Sequence, residues 1–241
     1  MRAISIIYRR ELGAYLRAPY AWVVAFIVLL VQGILFQAHA MAGEQLSAMV
    51  LERFFWLSSG VTMGAALLLS FRLVAEERQT HSMVLLSTSP VRDSQIILGK
   101  FFAALTFLII LLALSFYMPA LIKVNGKITF AQVLVGYFGL VLLGAAVLAF
   151  GLFASSLTKN QLVAALGALG ILILMCLLFP LAKKLDAPVS DVLKELDLWW
   201  VHFQQGFMRG VLNLKDIIYY LAVIYFFLLL AVKTMEAKRW Q

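Results

Sequence analysis

Six times along the chain the acidic and basic residues stop for sixteen positions or more: at 18–43, 54–71, 101–122, 128–158, 160–182 and 217–232. The hydrocarbon core of a bilayer is about 30 Å thick, and a helix rising about 1.5 Å per residue needs roughly 20 apolar residues to cross it. A backbone in lipid must satisfy its own polar groups, which makes the helix the solution for windows of this length. The sequence therefore predicts an all-α, polytopic membrane protein with six transmembrane helices, near 20–41, 54–75, 101–122, 129–156, 161–182 and 214–233. With 63% hydrophobic residues, 13% charged residues and a mean hydropathy of +0.96, a soluble fold is excluded. The last window is short for a crossing, so Asp216 and Lys233 are expected at the two interfaces, with Lys233 snorkelling.

Loop charge sets the orientation. With the N-terminus inside, twelve of the twenty Lys and Arg fall in inner segments and eight in outer ones. The positive-inside tendency then places both termini, and the loop at 72–100, in the cytoplasm. The net charge of +8 reads as a topological signal. A nucleic-acid partner would need a basic soluble face, which the chain lacks. Ala38-His39-Ala40 imitates a signal-peptidase site, but some twenty residues precede a window long enough to span, so the first span is expected to be kept. The lone Cys176 lies mid-span and is expected to pack.

The loop at 72–100 is a polar island between two spans, carrying Arg72, Glu76, Glu77, Arg78, Arg92, Asp93 and Lys100. It holds an acidic pair, an apolar run at 83–86, a Ser/Thr cluster and Pro90. Ser89 reads as a helix N-cap with Pro90 at the first helical position, and Asp93 favours the positive end of the dipole. The pattern predicts helix, corner, helix, with charge and an apolar patch offered for docking.

Residues 1–20 predict an interfacial amphipathic helix. At about 100° per residue, Ile4, Ile7, Tyr8, Leu12 and Tyr15 share one side, while Arg2, Arg9, Arg10 and Arg17 collect on the other, facing lipid headgroups. Glu11 falls on the apolar side. It is expected either to meet a cation from the 72–100 loop or another subunit, or to reach sideways to Arg10. Pro19 marks the turn into the first span.

Ser58, Ser59, Thr62, Gly64 and Ser70 in the second span read as packing groups. Gly136, Gly139, Gly144, Ala145, Ala149 and Gly151 thin the fourth span, and Ala164, Gly167, Ala168 and Gly170 the fifth, which predicts close helix contacts or a pore lining. Between spans five and six, Val192, Leu193 and Leu196 suit a short helix after Ser190. Trp199, Trp200, Phe203 and Phe207 are expected as an aromatic face at the headgroups. The spans hold no ionisable groups except at their edges, which argues against an ion-coupled transporter and an intramembrane protease. The chain has no GxxxxGK[ST] phosphate loop, so it is expected to be no enzyme and any driving energy must come from a partner.

The start YRRELGAYLRAPYAWV, the loop EERQTHSMVLLSTSPVRDSQIILGKF and the ending HFQQGFMRGVLNLKDIIYYLAVIYFFLLLAVKTMEAKRW, in six-span order, resemble the membrane subunit of a type 2 ATP-binding-cassette exporter. The ending is similar to the compact branch that includes the gliding-motility permease and the nitrous-oxide-reductase maturation permease. His81-Ser82 stand where that family commonly has Gly-Thr, and Val84 where it has Glu. The resemblance covers essentially the whole chain and implies a single transmembrane permease domain over 1–241. It implies a cytoplasmic coupling helix between spans two and three, with Glu76, Glu77, Arg78, Ser82, Met83, Leu85, Leu86 and Pro90 as the contact set for an ATPase. It also implies a cytoplasmic ATP-binding-cassette ATPase dimer that binds ATP and Mg, no cofactor in this chain, and a second permease copy, identical or related. A different reading of the same fold is a mechanotransmission or assembly scaffold. Such a scaffold would act on an extracytoplasmic companion docked at Trp199, Trp200, Phe203 and Phe207, with nothing crossing.

Overall fold

The computed structural model describes residues 2–40, 47–79, 92–126 and 128–239; the side chains of residues 2, 39, 40, 76–79, 125 and 239 lie outside the description. The described residues form helices and connecting turns with no strand. The helices are α1 (Arg2–Arg17), α2 (Pro19–Leu35, continued by a π-helical turn Phe36–Ala40), α3 (Ser47–Ser70), α4 (Arg72–Gln79) and α5 (Asp93–Leu114). They continue with α6 (Tyr117–Asn125), α7 (Phe130–Leu157), α8 (Gln161–Ala182), α9 (Val189–Glu195) and α10 (Leu214–Arg239). Among the described residues, six stretches are long and apolar enough to cross a membrane: Pro19–Ala38, Ser47–Ala75, Asp93–Val124, Phe130–Leu157, Gln161–Ala182 and Leu214–Lys238.

The helices outrun the apolar windows, because a helix continues until its hydrogen bonding is interrupted, whether or not its surroundings are lipid. Thus α3 begins at Ser47 and carries Glu52 and Arg53 in its opening turns. Ala18 is extended (φ −76°, ψ 125°) and Pro19 occupies the first helical position of α2, as expected of a residue whose missing N–H costs nothing there. The third span opens at Asp93, ahead of the apolar window that begins at 101, while Ser89 and Pro90 lie outside the described residues. Arg92 is extended, and its N–H is accepted by the Gln95 side chain at 3.3 Å, the returning half of a capping box.

Span four, α7, is the axis of the bundle. It is the most buried of the six spans, and α3, α5, α8 and α10 all pack on it. Its glycines make that approach possible. A Cβ on Gly136 would fall 2.2 Å from the Phe55 ring, and one on Gly139 would fall 2.3 Å from Cβ of Phe207. Gly144 and Gly151 are closed in the same way, by Leu108 and by Ser70. The fifth span behaves differently. Ala164 and Ala168 are buried, but a Cβ on Gly170 would meet nothing within 4 Å. Aromatic rings fill the bundle near α6, where Phe54, Phe55, Phe116 and Tyr137 interlock edge to face or tilted. Side chains such as Trp22, Phe26, Leu166, Leu174 and Phe226 stay exposed around the outside, as a lipid-facing surface requires.

Candidate functional site

The end of the bundle that carries the 72–100 loop is organised around a break in the second span. Helix α3 stops at Ser70 and α4 starts at Arg72, with neither Pro nor Gly at the break. A break leaves the last carbonyls of one helix and the first N–H groups of the next without partners, and burial makes each of them costly. Side chains from three other helices, together with Ser70 of α3 itself, fill these positions. Ser155, on α7, accepts from the N–H of Val74 (3.0 Å) and Ala75 (2.8 Å), acting as an N-cap supplied by another helix, and donates to the Phe71 carbonyl (2.9 Å). The Tyr15 hydroxyl of α1 donates to the Leu69 carbonyl at 3.0 Å, the Tyr20 hydroxyl of α2 to the Leu68 carbonyl at 2.9 Å, and Ser70 Oγ to the Leu67 carbonyl at 2.9 Å. The Arg72 guanidinium lies over the Tyr20 ring at 4.4 Å. Three separate elements therefore hold one joint.

Helix α1 is held to α5 by a matching set of contacts. Its apolar side turns onto the protein: Ile7 is buried, and a Cβ on Gly99 would fall 2.7 Å from the Ile7 side chain. Tyr8 meets Thr106 Oγ1 at 3.1 Å, and Tyr15 stacks on Phe107 with centroids 5.5 Å apart. Glu11, on that same side, receives both expected neighbours. Lys100 Nζ lies 3.1 Å and Arg10 Nη2 2.6 Å from its Oε1, and Lys100 is only 1% exposed. Burial pushes the Glu11 carboxyl up, but Lys100 and Arg10 pull it down further, and it ends below the usual carboxylate range. Arg9 and Arg10 face outward with Arg17. The end of α7 is closed by α10: Lys238 Nζ donates to the carbonyls of Leu157 (2.5 Å) and Ser156 (3.2 Å), a cation placed on the negative end of a helix.

The coupling residues divide into two groups. Glu76, Glu77 and Arg78 sit on the α4 backbone, which leads away from the clamped joint, with their side chains outside the described residues. Ser82, Met83, Leu85, Leu86 and Pro90 lie outside the described residues altogether. Sequence reasoning missed Tyr20 and Ser155. A hydroxyl near a span end looks like any packing group until the chain brings a helix break against it.

The opposite end differs from the aromatic face expected there. Phe203 and Phe207 are fully buried, Phe207 filling the space that Gly139 leaves, while Trp199 and Trp200 are half-buried. Trp199 Nε1 donates to Ser59 Oγ at 2.9 Å and Trp200 Nε1 to the Cys176 carbonyl at 3.2 Å. The segment folds into the bundle because Asp197 organises it, one carboxylate oxygen accepting from the N–H groups of Trp199, Trp200 and Val201. Burial pushes the Asp197 carboxyl up, and the backbone N–H groups offset that only in part. The short helix starts at Val189, ahead of Ser190, and leaves Val192 and Leu196 exposed. Asp216 is buried against His202 at 2.7 Å, and Lys233 is exposed beside Glu236.

A family model described as ABC-2 family transporter protein matches residues 5–230, from within α1 to within the last span. The chain belongs to the ABC-2 transporter family. No curated protein is found to match it. As an ABC-2 transporter protein it is a multi-pass membrane permease subunit of an ATP-binding-cassette transporter, a family whose members work with an ATP-binding-cassette ATPase. In this ABC-2 chain the clamped α3–α4 joint lies directly before the segment at 76–91, and α5 leads from that segment back into the bundle.

Proposed function

We propose that this subunit turns the motion of a cytoplasmic ATPase dimer into rearrangement of its six spans, driving export, with the α3–α4 joint as the pivot. The observation that supports this is the convergence of Tyr15, Tyr20 and Ser155 on residues 68–75. A push on α4 reaches α1, the first span and the axial fourth span together. Packed helices have a few discrete arrangements rather than a continuum, so such a push selects between packings. In this reading Glu76, Glu77, Arg78 and Ser82 hold the corner by charge and hydrogen bonding. Met83, Leu85 and Leu86 fill an ATPase groove, and Pro90 sets the angle of return toward α5. ATP and Mg belong to the ATPase. Both termini are cytoplasmic, Arg9, Arg10 and Arg17 face the headgroups of the inner membrane, and a second permease copy, identical or related, completes the transporter. The ending keeps the likeness to the gliding-motility and nitrous-oxide-reductase maturation branch within this proposal. The scaffold reading is the weaker one, because Phe203 and Phe207 are turned inward and only the half-buried Trp199 and Trp200 of that segment are left to meet an extracytoplasmic companion.

Co-purification tests the docking step. With Leu85→Asp, a carboxylate enters the groove without a partner at a cost of at least about 3 kcal/mol, so the ATPase should be recovered about a hundredfold less well at equal membrane levels. Equal recovery with wild type and Leu85→Asp would remove the loop from the docking role. Leu229→Asp, in the last span, should instead reduce the amount of inserted permease.

A further inference from the structure

The turn after the fifth span and the short helix α9 carry an apolar stripe that the coupling reading does not use. Leu185, Val189, Val192 and Leu196, spaced four, three and four residues apart, are between 48% and 59% exposed. At about 100° per residue, Val189, Val192 and Leu196 share one side of α9. Ser190, which is buried against the protein, and the charged Asp191, Lys194 and Glu195 take up the rest of its circumference. The two acids are matched within the protein, Asp191 by Lys194 at 3.2 Å and Glu195 by Lys215 at 2.6 Å. The helix is thus amphipathic, with its apolar side turned away from the bundle, and its depth decides what covers that side.

Hydrogen bonds to three spans set that depth. The Leu198 N–H donates to the Met175 carbonyl at 3.4 Å, and Trp200 Nε1 to the Cys176 carbonyl at 3.2 Å. The second bond meets a need that the sequence creates: Pro180 lies inside α8 and has no N–H, so the Cys176 carbonyl lacks its partner four residues on. Met175 is seven residues before Ala182, the last of α8, and so lies about 10 Å inside the end of the fifth span. Tyr219 and Tyr220, in the second turn of α10, donate to the Leu196 and Leu198 carbonyls, both at 2.7 Å. Ser59, which accepts from Trp199 Nε1, is five residues inside the charge-free window at 54–71. Non-helical backbone is tolerated at such a level only where its polar groups find partners in protein, and Asp197 supplies them for Trp199, Trp200 and Val201. The chain therefore descends through α9 from the end of span five to a level below it. We infer that α9 is an interfacial helix seated in the leaflet at the end of the bundle away from the α3–α4 joint, with Leu185, Val189, Val192 and Leu196 against lipid acyl chains and Asp191, Lys194 and Glu195 toward water.

Lipid is the occupant that this placement selects. The exposed row Leu174, Leu177 and Leu181 on span five runs on at the same spacing into Leu185, so the stripe continues the lipid-facing surface of the bundle. An amphipathic helix at an interface sinks its apolar side about 5–10 Å past the headgroups and keeps its charged side hydrated, the arrangement found for α9. A soluble companion would arrive from the water and meet the charged side instead. Phe203 and Phe207 are buried, which leaves the contact with the leaflet to the aliphatic stripe. Nitroxide labels on Val192→Cys, Leu196→Cys and Asp191→Cys test this, one at a time in the full chain with Cys176 replaced, in nanodiscs of phosphatidylcholine and phosphatidylglycerol. Collisions with oxygen, which concentrates in lipid, should exceed those with a neutral nickel chelate, which stays in water, several-fold at 192 and 196, and the order should reverse at 191. Nickel dominating at 192 and 196 would put the stripe in water and overturn the inference. Exclusion of both reagents there would put a protein surface over it, a second copy of this chain included, and would overturn it equally. The unlabelled wild type gives a second reading that no substitution can disturb. A phospholipid with a photoreactive diazirine in its acyl chain should mark peptides covering 185–196 along with those of span five, and their absence from the marked set refutes the lipid contact.

Discussion

Removing the hydroxyl of Ser155 tests whether the α3–α4 joint is held from outside the second span. Ser155 is fully buried and makes three hydrogen bonds, accepting from Val74 and Ala75 and donating to Phe71. Ser155→Ala leaves two buried N–H groups and one carbonyl without this partner, and water cannot reach them without opening the helix end. Each orphaned buried group costs about 1–3 kcal/mol, and part of that is relieved by local fraying, so a net loss of about 2–4 kcal/mol in the local opening free energy is expected. At about 1.4 kcal/mol per decade, the amides of Leu73, Val74 and Ala75 should exchange about thirty to a thousand times faster than in wild type. Thr234→Ala is the control. Thr234 Oγ1 donates to the Leu230 carbonyl one turn back in the same helix at 2.8 Å, and that carbonyl keeps its place in the helix without it. Hydrogen exchange followed by mass spectrometry on the permease in nanodiscs makes the comparison. Unchanged exchange across 72–79 in Ser155→Ala would show that the break is intrinsic to α3 and α4, and the pivot would lose its anchor.

Glu11→Gln should loosen α1 from α5 at neutral pH by about 1–3 kcal/mol, because Lys100 is buried and loses a carboxylate partner; spin-label distances between α1 and α5 would broaden. Because the Glu11 carboxyl is held below the ordinary carboxylate range, its contribution is present above about pH 4.3 and is lost only as pH falls through the lowered value. Docking of α1 that weakened between about pH 7 and 5 would contradict this assignment. Gly139→Ala should lower thermal stability by about 1–3 kcal/mol through collision with Phe207, whereas Gly170→Ala, which points into open space, should be neutral or stabilising by about 0.5–1 kcal/mol. With Cys176 replaced, a cysteine at Arg78 should resist an impermeant reagent in whole cells, and one at exposed Lys194 should react; labelling at position 78 from outside would reverse the proposed orientation.

The six spans were legible because lipid imposes a length and a composition that few other structures share. Their ends were less so. The windows 54–71 and 101–122 mark where charge is absent, while the helices run from Ser47 and from Asp93, since Glu52, Arg53 and Lys100 are compatible with helix wherever they find partners. The break at Phe71 carries no local signal; its backbone groups are met by Ser155, which is distant in sequence and adjacent in space. The helix start expected at Ser89 and Pro90 lies outside the described residues; within them, the third span opens at Asp93 behind the Arg92–Gln95 cap.

The aromatic segment failed for a reason particular to membranes. In water, a run such as Trp199, Trp200, Phe203 and Phe207 asks to be buried, and burial means protein. Beside a bilayer, apolar side chains lower their free energy almost equally against lipid and against other helices, so hydropathy cannot say which they choose. The choice between the two falls to shape and to polar groups. Gly139 leaves a notch that the Phe207 ring fills, and Asp197 gathers three backbone N–H groups into a turn that aims the chain inward. Span five makes the same point in reverse: its small residues promised close helix contacts or a pore lining, and Ala164 and Ala168 are buried, yet a Cβ on Gly170 would meet nothing within 4 Å. The residues that locate this bundle's internal contacts are therefore its few polar ones. Glu11 with Lys100, Ser155 with Val74 and Ala75, and His202 with Asp216 each cost free energy to expose to lipid, and each fixes one helix or segment against another.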